Sequence, residues 1–424
     1  MLIKKFITIV IPLIFLLLAI NSHGQSLVLG TTLFWWFVYF LALLIFWVVF
    51  YKYTTPQLKL NFKIIQYYLL YVLCSSLWGA TLAKTYWDWK NLFINTMVLL
   101  IPLCTYLVNN TYLFQRILKQ FIFLATPIFI VFQFFISKDE FGFYLAPYSF
   151  LLIFLPLLPL KLKMFILTVA IYVIFSDLGA RATILKFVFP FFISILFYYR
   201  NVIKTKSFNV FCTILMFSPF IFFTLAATNI FNIFNPQGND SVEIIDKKKS
   251  LNGEIEYDNL LSDTRTFLYF EVLSTAKEYN TWFLGRSPAL GNKSDMFGFE
   301  DPNNRNERNS NEVGILNYFN WLGLVGVFFI FIIYYRAAYL AINYSNNYFS
   351  KLTGIYIAYR WVISWIEDYN SFYIGFVFLW LMIGFCFSPT FRKMTDAEMR
   401  DWVLNIFKFK NRSLRKSIHT IKYS

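Results

Sequence analysis

Long apolar runs dominate this chain, near residues 4–20, 27–50, 62–83, 91–108, 117–136, 143–160, 162–178, 182–199, 208–231, 313–335, 352–369 and 371–389. A helix needs about 20 apolar residues to cross a hydrocarbon core roughly 30 Å thick. Inside lipid every backbone N–H and C=O must be paired within the protein, which leaves only helices and closed barrels. These runs are apolar on every side and show no period-2 alternation, so they read as helices. Charged residues make up only 14% of the chain, against about 25% in an ordinary soluble domain. The sequence therefore predicts an all-α polytopic integral membrane protein with about 12 transmembrane helices. The first run has two open readings, an uncleaved span or a cleaved signal peptide with Lys4 and Lys5 as its basic start.

The formal net charge of +15 does not mark a nucleic-acid binder, because of where the charges lie. Many sit in the tail between Arg392 and Lys422, and most others flank apolar runs, the footprint of topology and anionic headgroups. Basic residues concentrate in alternate short loops: Lys52, Lys59 and Lys63; Arg116 and Lys119; Lys161 and Lys163; Arg200, Lys204 and Lys206; Arg336 and Lys351. The opposite short loops hold only Lys84, Lys90, Lys138 and Arg181. The positive-inside rule then puts both termini in the cytoplasm. Residues 1–231 carry the first nine spans, 232–312 a large external loop, 313–389 the last three spans, and 390–424 a basic cytoplasmic tail.

The large loop holds fourteen acidic and nine basic residues, so the excess positive charge lies elsewhere. Its first part, Pro236 to Ser262, is polar and reads as a flexible surface segment. Asp263-Thr264 then offers an N-cap, and Tyr269, Val272, Leu273 and Ala276 recur at helical spacing. That predicts an amphipathic helix closing near Gly285, its apolar stripe on the membrane surface or on the tops of other helices. The cysteines Cys74, Cys104, Cys212 and Cys386 all lie in apolar runs, and the histidines are only His23 and His419. Neither a disulfide framework nor a Cys/His metal site can be built from them, and no metal or cofactor is expected.

Candidate chemistry rests on arginines and carboxylates. A phosphate can be held without metal by guanidinium groups, which stay charged and bond in a fork. Arg181 sits at the mouth of a tight connection between runs, Arg265 opens the loop helix, and Arg286 follows Gly285. Arg360 lies inside an apolar run, where a charge usually faces a protein interior or a cavity. Two readings stay open for each: substrate binding, or headgroup anchoring for Arg181 and Arg286, pairing with Asp263 or Glu271 for Arg265, and pairing with Glu367 for Arg360. Removing a hydroxyl proton needs a base. Glu312, Glu367 and Asp368 are the carboxylates at run mouths, with ordinary interfacial solvation as the alternative, favoured for Asp368.

This arrangement resembles the O-antigen polymerase and ligase superfamily. The carriers of the resemblance are the span layout, Arg265 through Gly285-Arg286, Ala180-Arg181-Ala182-Thr183, and Glu312-Val313-Gly314 leading to Gly323-Leu324-Val325-Gly326. Ligases of the superfamily generally carry His at the loop exit, where this chain has Glu312, so the resemblance favours a Wzy-type polymerase. It implies a metal-independent glycosyltransferase of the inner membrane, joining oligosaccharide units carried on polyprenyl pyrophosphate into O-antigen or a related surface polysaccharide of the lipopolysaccharide type. Glu312, Arg286 and Arg181 would be catalytic, and Arg265, Arg360 and Glu367 would bind substrate. The implied partners are the lipid-linked glycan, the bilayer, a chain-length regulator and a flippase, with no nucleic acid. A ligase and a lipid-linked oligosaccharide flippase remain the alternatives.

Overall fold

The computed structural model describes residues 10–18, 31–53, 56–136, 138–228, 230–232, 234, 245–249, 255–259, 265–295 and 303–408. Among them the chain is almost wholly helical, with two small antiparallel ladders. Among the described residues seven helical stretches are long and apolar enough to cross a membrane: Thr32–Tyr51, Asn61–Leu82, Tyr86–Asn109, Thr111–Phe135, Arg181–Tyr199, Thr205–Ala227 and Gly314–Asn343. The helix Thr32–Tyr53 shows why these read as membrane helices. Leu33, Phe37, Phe40, Leu44, Trp47 and Tyr51 repeat at intervals of three and four along its exposed face, while Val38, Ala42, Ile45, Phe46 and Val49 pack inward. A helix apolar all round needs lipid or a large core, and so long an outward apolar stripe is not left facing water.

The other five apolar runs are shorter, broken or only partly described. Of the first, residues 10–18 are helical. Run 143–160 breaks into Phe141–Tyr144, Pro147–Leu152 and Leu155–Leu157, as its prolines remove N–H donors. Run 162–178 is the 17-residue helix Leu160–Ser176. The runs near 352–369 and 371–389 are Tyr348–Ile363, of 16 residues, and Ile374–Phe387, of 14. Every residue of Ile374–Phe387 is buried. It is a core helix wrapped by others, so its length is not set by lipid thickness.

Local expectations meet the structure in three places. Residues 245–249 and 255–259 pair as an antiparallel hairpin, Ile245 opposite Asn259, where a flexible segment was expected. The expected cap Asp263-Thr264 lies outside the described residues, and Arg265 is the N-cap of the loop helix Thr266–Tyr279. That helix ends at Asn280 in the left-handed conformation, before Gly285. Its stripe rests on protein: Leu268, Val272, Thr275 and Ala276 are buried, and the Tyr269 hydroxyl donates to the Trp365 carbonyl at 2.5 Å. Burial pushes the Tyr269 phenol well above its ordinary range, so it stays a neutral donor. Finally, the helix Gly314–Asn343 is not continuous, since Gly323 sits at φ 65°, ψ −167° and breaks it.

Candidate functional site

The loop helix, the start of Gly314–Asn343 and the turn after Tyr348–Ile363 meet at one end of the bundle. Arg265, half-exposed at the head of the loop helix, reaches Glu312 Oε2 at 2.7 Å and Glu367 Oε2 at 3.3 Å. Arg308 lies 3.5 Å from the other Glu312 oxygen. The Glu312 side chain remains 45% exposed, so it is reachable from solvent despite both pairings. Just below, Arg360 Nη2 stands 2.8 Å from both oxygens of Asp368, and Lys186 Nζ stands 3.5 Å from Oδ1.

The two tiers are tied through the backbone. The Asp368 N–H donates to the Glu312 carbonyl at 3.2 Å, and the Ile315 N–H donates to the Ser364 carbonyl at 3.0 Å. Gly314 makes this possible, because a Cβ there would lie 2.3 Å from the Asp368 carbonyl oxygen. The expected Arg360–Glu367 pair is therefore corrected: Arg360 takes Asp368, and Glu367 takes Arg265. Asp368, expected at the interface, is buried because the chain turns back under Glu312 after Ile363.

Charge counting separates this centre from a second one. In the lower tier two cations, Arg360 and Lys186, share the single carboxylate of Asp368, and Arg360 Nε has no hydrogen-bond partner. All three side chains are nearly fully buried, which among the described residues leaves one positive charge in excess in this cluster. Buried charge is costly unless matched. Arg286, by contrast, is buried against Glu307 at 3.0 Å, lies 4.1 Å over the Tyr279 ring and donates to the Gly291 carbonyl. Arg305 bridges Glu307 and Asp88, and Asp88 also caps the helix Tyr86–Leu99. Among the described residues two arginines face two carboxylates there, a set that fastens the loop to the bundle.

The structure thus brings Glu312, Arg265 and Glu367 together, puts Arg360 one layer beneath them, and leaves Arg286 in the separate cluster. Arg181 stands apart as well. It begins the helix Arg181–Ile195, is exposed, and points away from the buried face of Thr183, Lys186, Phe187 and Pro190. Lys186, Arg308 and the buried role of Asp368 were missed in the sequence. Lys186 carried the same signal as Arg360, a lone charge within an apolar run.

Beside the upper tier lies an apolar cavity of about 530 Å³. Phe222, Phe223, Phe231, Tyr269, Phe270 and Trp365 line it, and Thr266 and Ile366, the neighbours of Arg265 and Glu367, form its rim. Among the described residues no three His, Cys, Asp or Glu side chains are grouped to hold a metal ion. No family model, curated protein or solved structure matches this chain.

Proposed function

We propose that this chain is a polymerase of oligosaccharide repeat units carried on polyprenyl pyrophosphate, working at the periplasmic face of an inner membrane. In this reading it crosses the bilayer about 12 times, with both termini cytoplasmic and the large loop outside. The supporting observation is Glu312, an accessible carboxylate clasped by Arg265 and Arg308, with Thr266, the neighbour of Arg265, lining an aromatic cavity. A glycosyl donor of this class has an isoprenoid chain, a pyrophosphate and a glycan. The cavity suits the first, the arginines the second, and open solvent above Glu312 the third.

The reaction needs one bond made and one broken. A sugar hydroxyl of the incoming unit attacks the anomeric carbon of the growing chain, and the carbon–oxygen bond to pyrophosphate breaks. The hydroxyl proton passes to Glu312, and the bonding pair leaves on the pyrophosphate, whose charge the arginines absorb. Arg265 cannot fork onto two carboxylates and a phosphate at once. Binding of the anion therefore draws Arg265 from Glu312 and exposes the carboxylate where the hydroxyl arrives. Arg181, exposed at the end of its own helix, is the remaining cation for a phosphate oxygen or a lipid headgroup.

The test is the glycan ladder of cells carrying single variants at matched membrane abundance. Glu312→Gln keeps the shape and removes the acceptor, so polymerisation should fall by about 10²–10⁴-fold, the usual worth of a general base. Arg265→Lys should also fall well short, since an ammonium cannot fork. Arg286→Lys should lower abundance and leave the ladder length of surviving protein unchanged. A wild-type ladder from Glu312→Gln would remove the base from the mechanism.

A further inference from the structure

The break at Gly323 has a partner in the large loop. Residues 281–285 come directly after the loop helix and lie against it. The Leu324 N–H donates to the Trp282 carbonyl at 2.8 Å, and the Val325 N–H to the Phe283 carbonyl at 3.2 Å. The contact is backbone on backbone. A Cβ at Gly323 would lie 2.2 Å from the Phe283 carbonyl oxygen, and one at Gly285 2.6 Å from the Gly323 nitrogen. The carbonyls freed on the other side of the break are also met: Tyr71 donates to Leu322 at 2.8 Å and Ser75 to Trp321 at 3.4 Å. The Trp321 and Leu322 carbonyls are buried and need partners in any solvent, but the N–H of Leu324, a residue 44% exposed, is paired inside the protein as well, as hydrocarbon demands.

The side chains point the same way. Phe283 is 71% exposed and Leu284 54%, beside Leu324 at 44% and Phe328 at 60%. Leu324 and Phe328 belong to a helix that meets the requirements for crossing a membrane. Tyr335, Tyr339 and Tyr344 are exposed toward its far end, where tyrosines mark an interface. Counting back about 20 residues per crossing from any of them puts the near edge of the hydrocarbon at or before Leu324. Residues 314–322, before the break, are instead buried on all sides, with Asn317 and Asn320 bonded to the loop.

We infer that the turn 281–285 is a re-entrant wedge, with Phe283 and Leu284 inserted among the acyl chains of the leaflet on the loop side. The large loop is thereby fixed to the lipid at the C-terminal end of its helix, with Arg265 at the other end. The inference rests on Gly314–Asn343 crossing a bilayer, and it is independent of the glycan chemistry. Its partner is the lipid itself.

The test uses spin labels on single cysteines in lipid nanodiscs, with Cys74, the exposed native cysteine, replaced by serine. Labels at Phe283→Cys and Leu284→Cys should collide readily with oxygen and poorly with a water-soluble nickel chelate. They should match Phe328→Cys on the helix and differ from Asp295→Cys, exposed in the loop. Nickel accessibility at 283 and 284 with an oxygen-accessible 328 would overturn the wedge and keep the crossing. Protection from both reagents would mean a protein contact and would overturn it too. Nickel accessibility at 328 would overturn the crossing itself, and the wedge with it.

Discussion

Asp368→Asn is the sharpest perturbation of the lower tier. In the native protein, Arg360 and Lys186 share one carboxylate, for a buried charge of one positive unit. The amide keeps the shape and some hydrogen bonding but leaves two positive units facing each other in a low-dielectric interior. Removing one partner of a buried pair typically costs about 3–5 kcal/mol. One kcal/mol moves Tm by roughly 2–4 °C in domains of 150–250 residues and by less in larger ones. For 424 residues the shift is about 1 °C per kcal/mol, so the Tm of the purified protein in detergent should drop by about 3–6 °C. Adding Arg360→Met returns the buried charge to its native value, so the double variant should be more stable than Asp368→Asn alone. Glu367→Gln is the control: its pair with Arg265 is partly exposed, and such pairs contribute about 0–1 kcal/mol. An Asp368→Asn protein unfolding with the native one, or a double variant worse than the single, would refute the charge argument.

The remaining predictions concern the break and the sidedness. Gly323→Ala and Gly285→Ala should each lower Tm by more than Gly79→Ala. Both sites have positive φ and a backbone neighbour inside 2.7 Å of a new Cβ, whereas the nearest atom at Gly79 is the end of the Leu92 side chain at 3.0 Å. Strain at such backbone positions alone is worth about 1–3 kcal/mol, and equal Tm values for all three variants would sink the reasoning. A cysteine at Ser250 should react with an impermeant thiol reagent in cells stripped of their outer barrier, while one at Ser207 should not. Equal labelling would end the proposed sidedness.

The helices were legible because lipid imposes a length and an all-round polarity that composition alone records. The run Thr32–Tyr53 needs no partner to be recognised. Run 371–389 was equally apolar, yet it became a buried 14-residue helix, because periodicity cannot separate a lipid face from a protein face when both are apolar. The arginines show the same limit for the site. Arg286 stood out as the arginine after Gly285 in the loop and Arg360 as a cation inside an apolar run, and what separates them is the partners that folding delivers. The charges that complete each cluster come from farther along the chain: Lys186 reaches Asp368, Arg265 reaches Glu312 and Glu367, and Arg305 reaches Asp88. Pairing across such separations depends on where helices stop, and Gly285, Gly314 and Gly323 set that by letting backbones touch. Gly323 in particular breaks the run that begins at 313, which sets residues 314–322 apart from the rest of the helix and lays them under the loop. A cation without its own carboxylate was visible in the sequence only as a cost. The fold is what turns that cost into two cations sharing one carboxylate beneath Glu312.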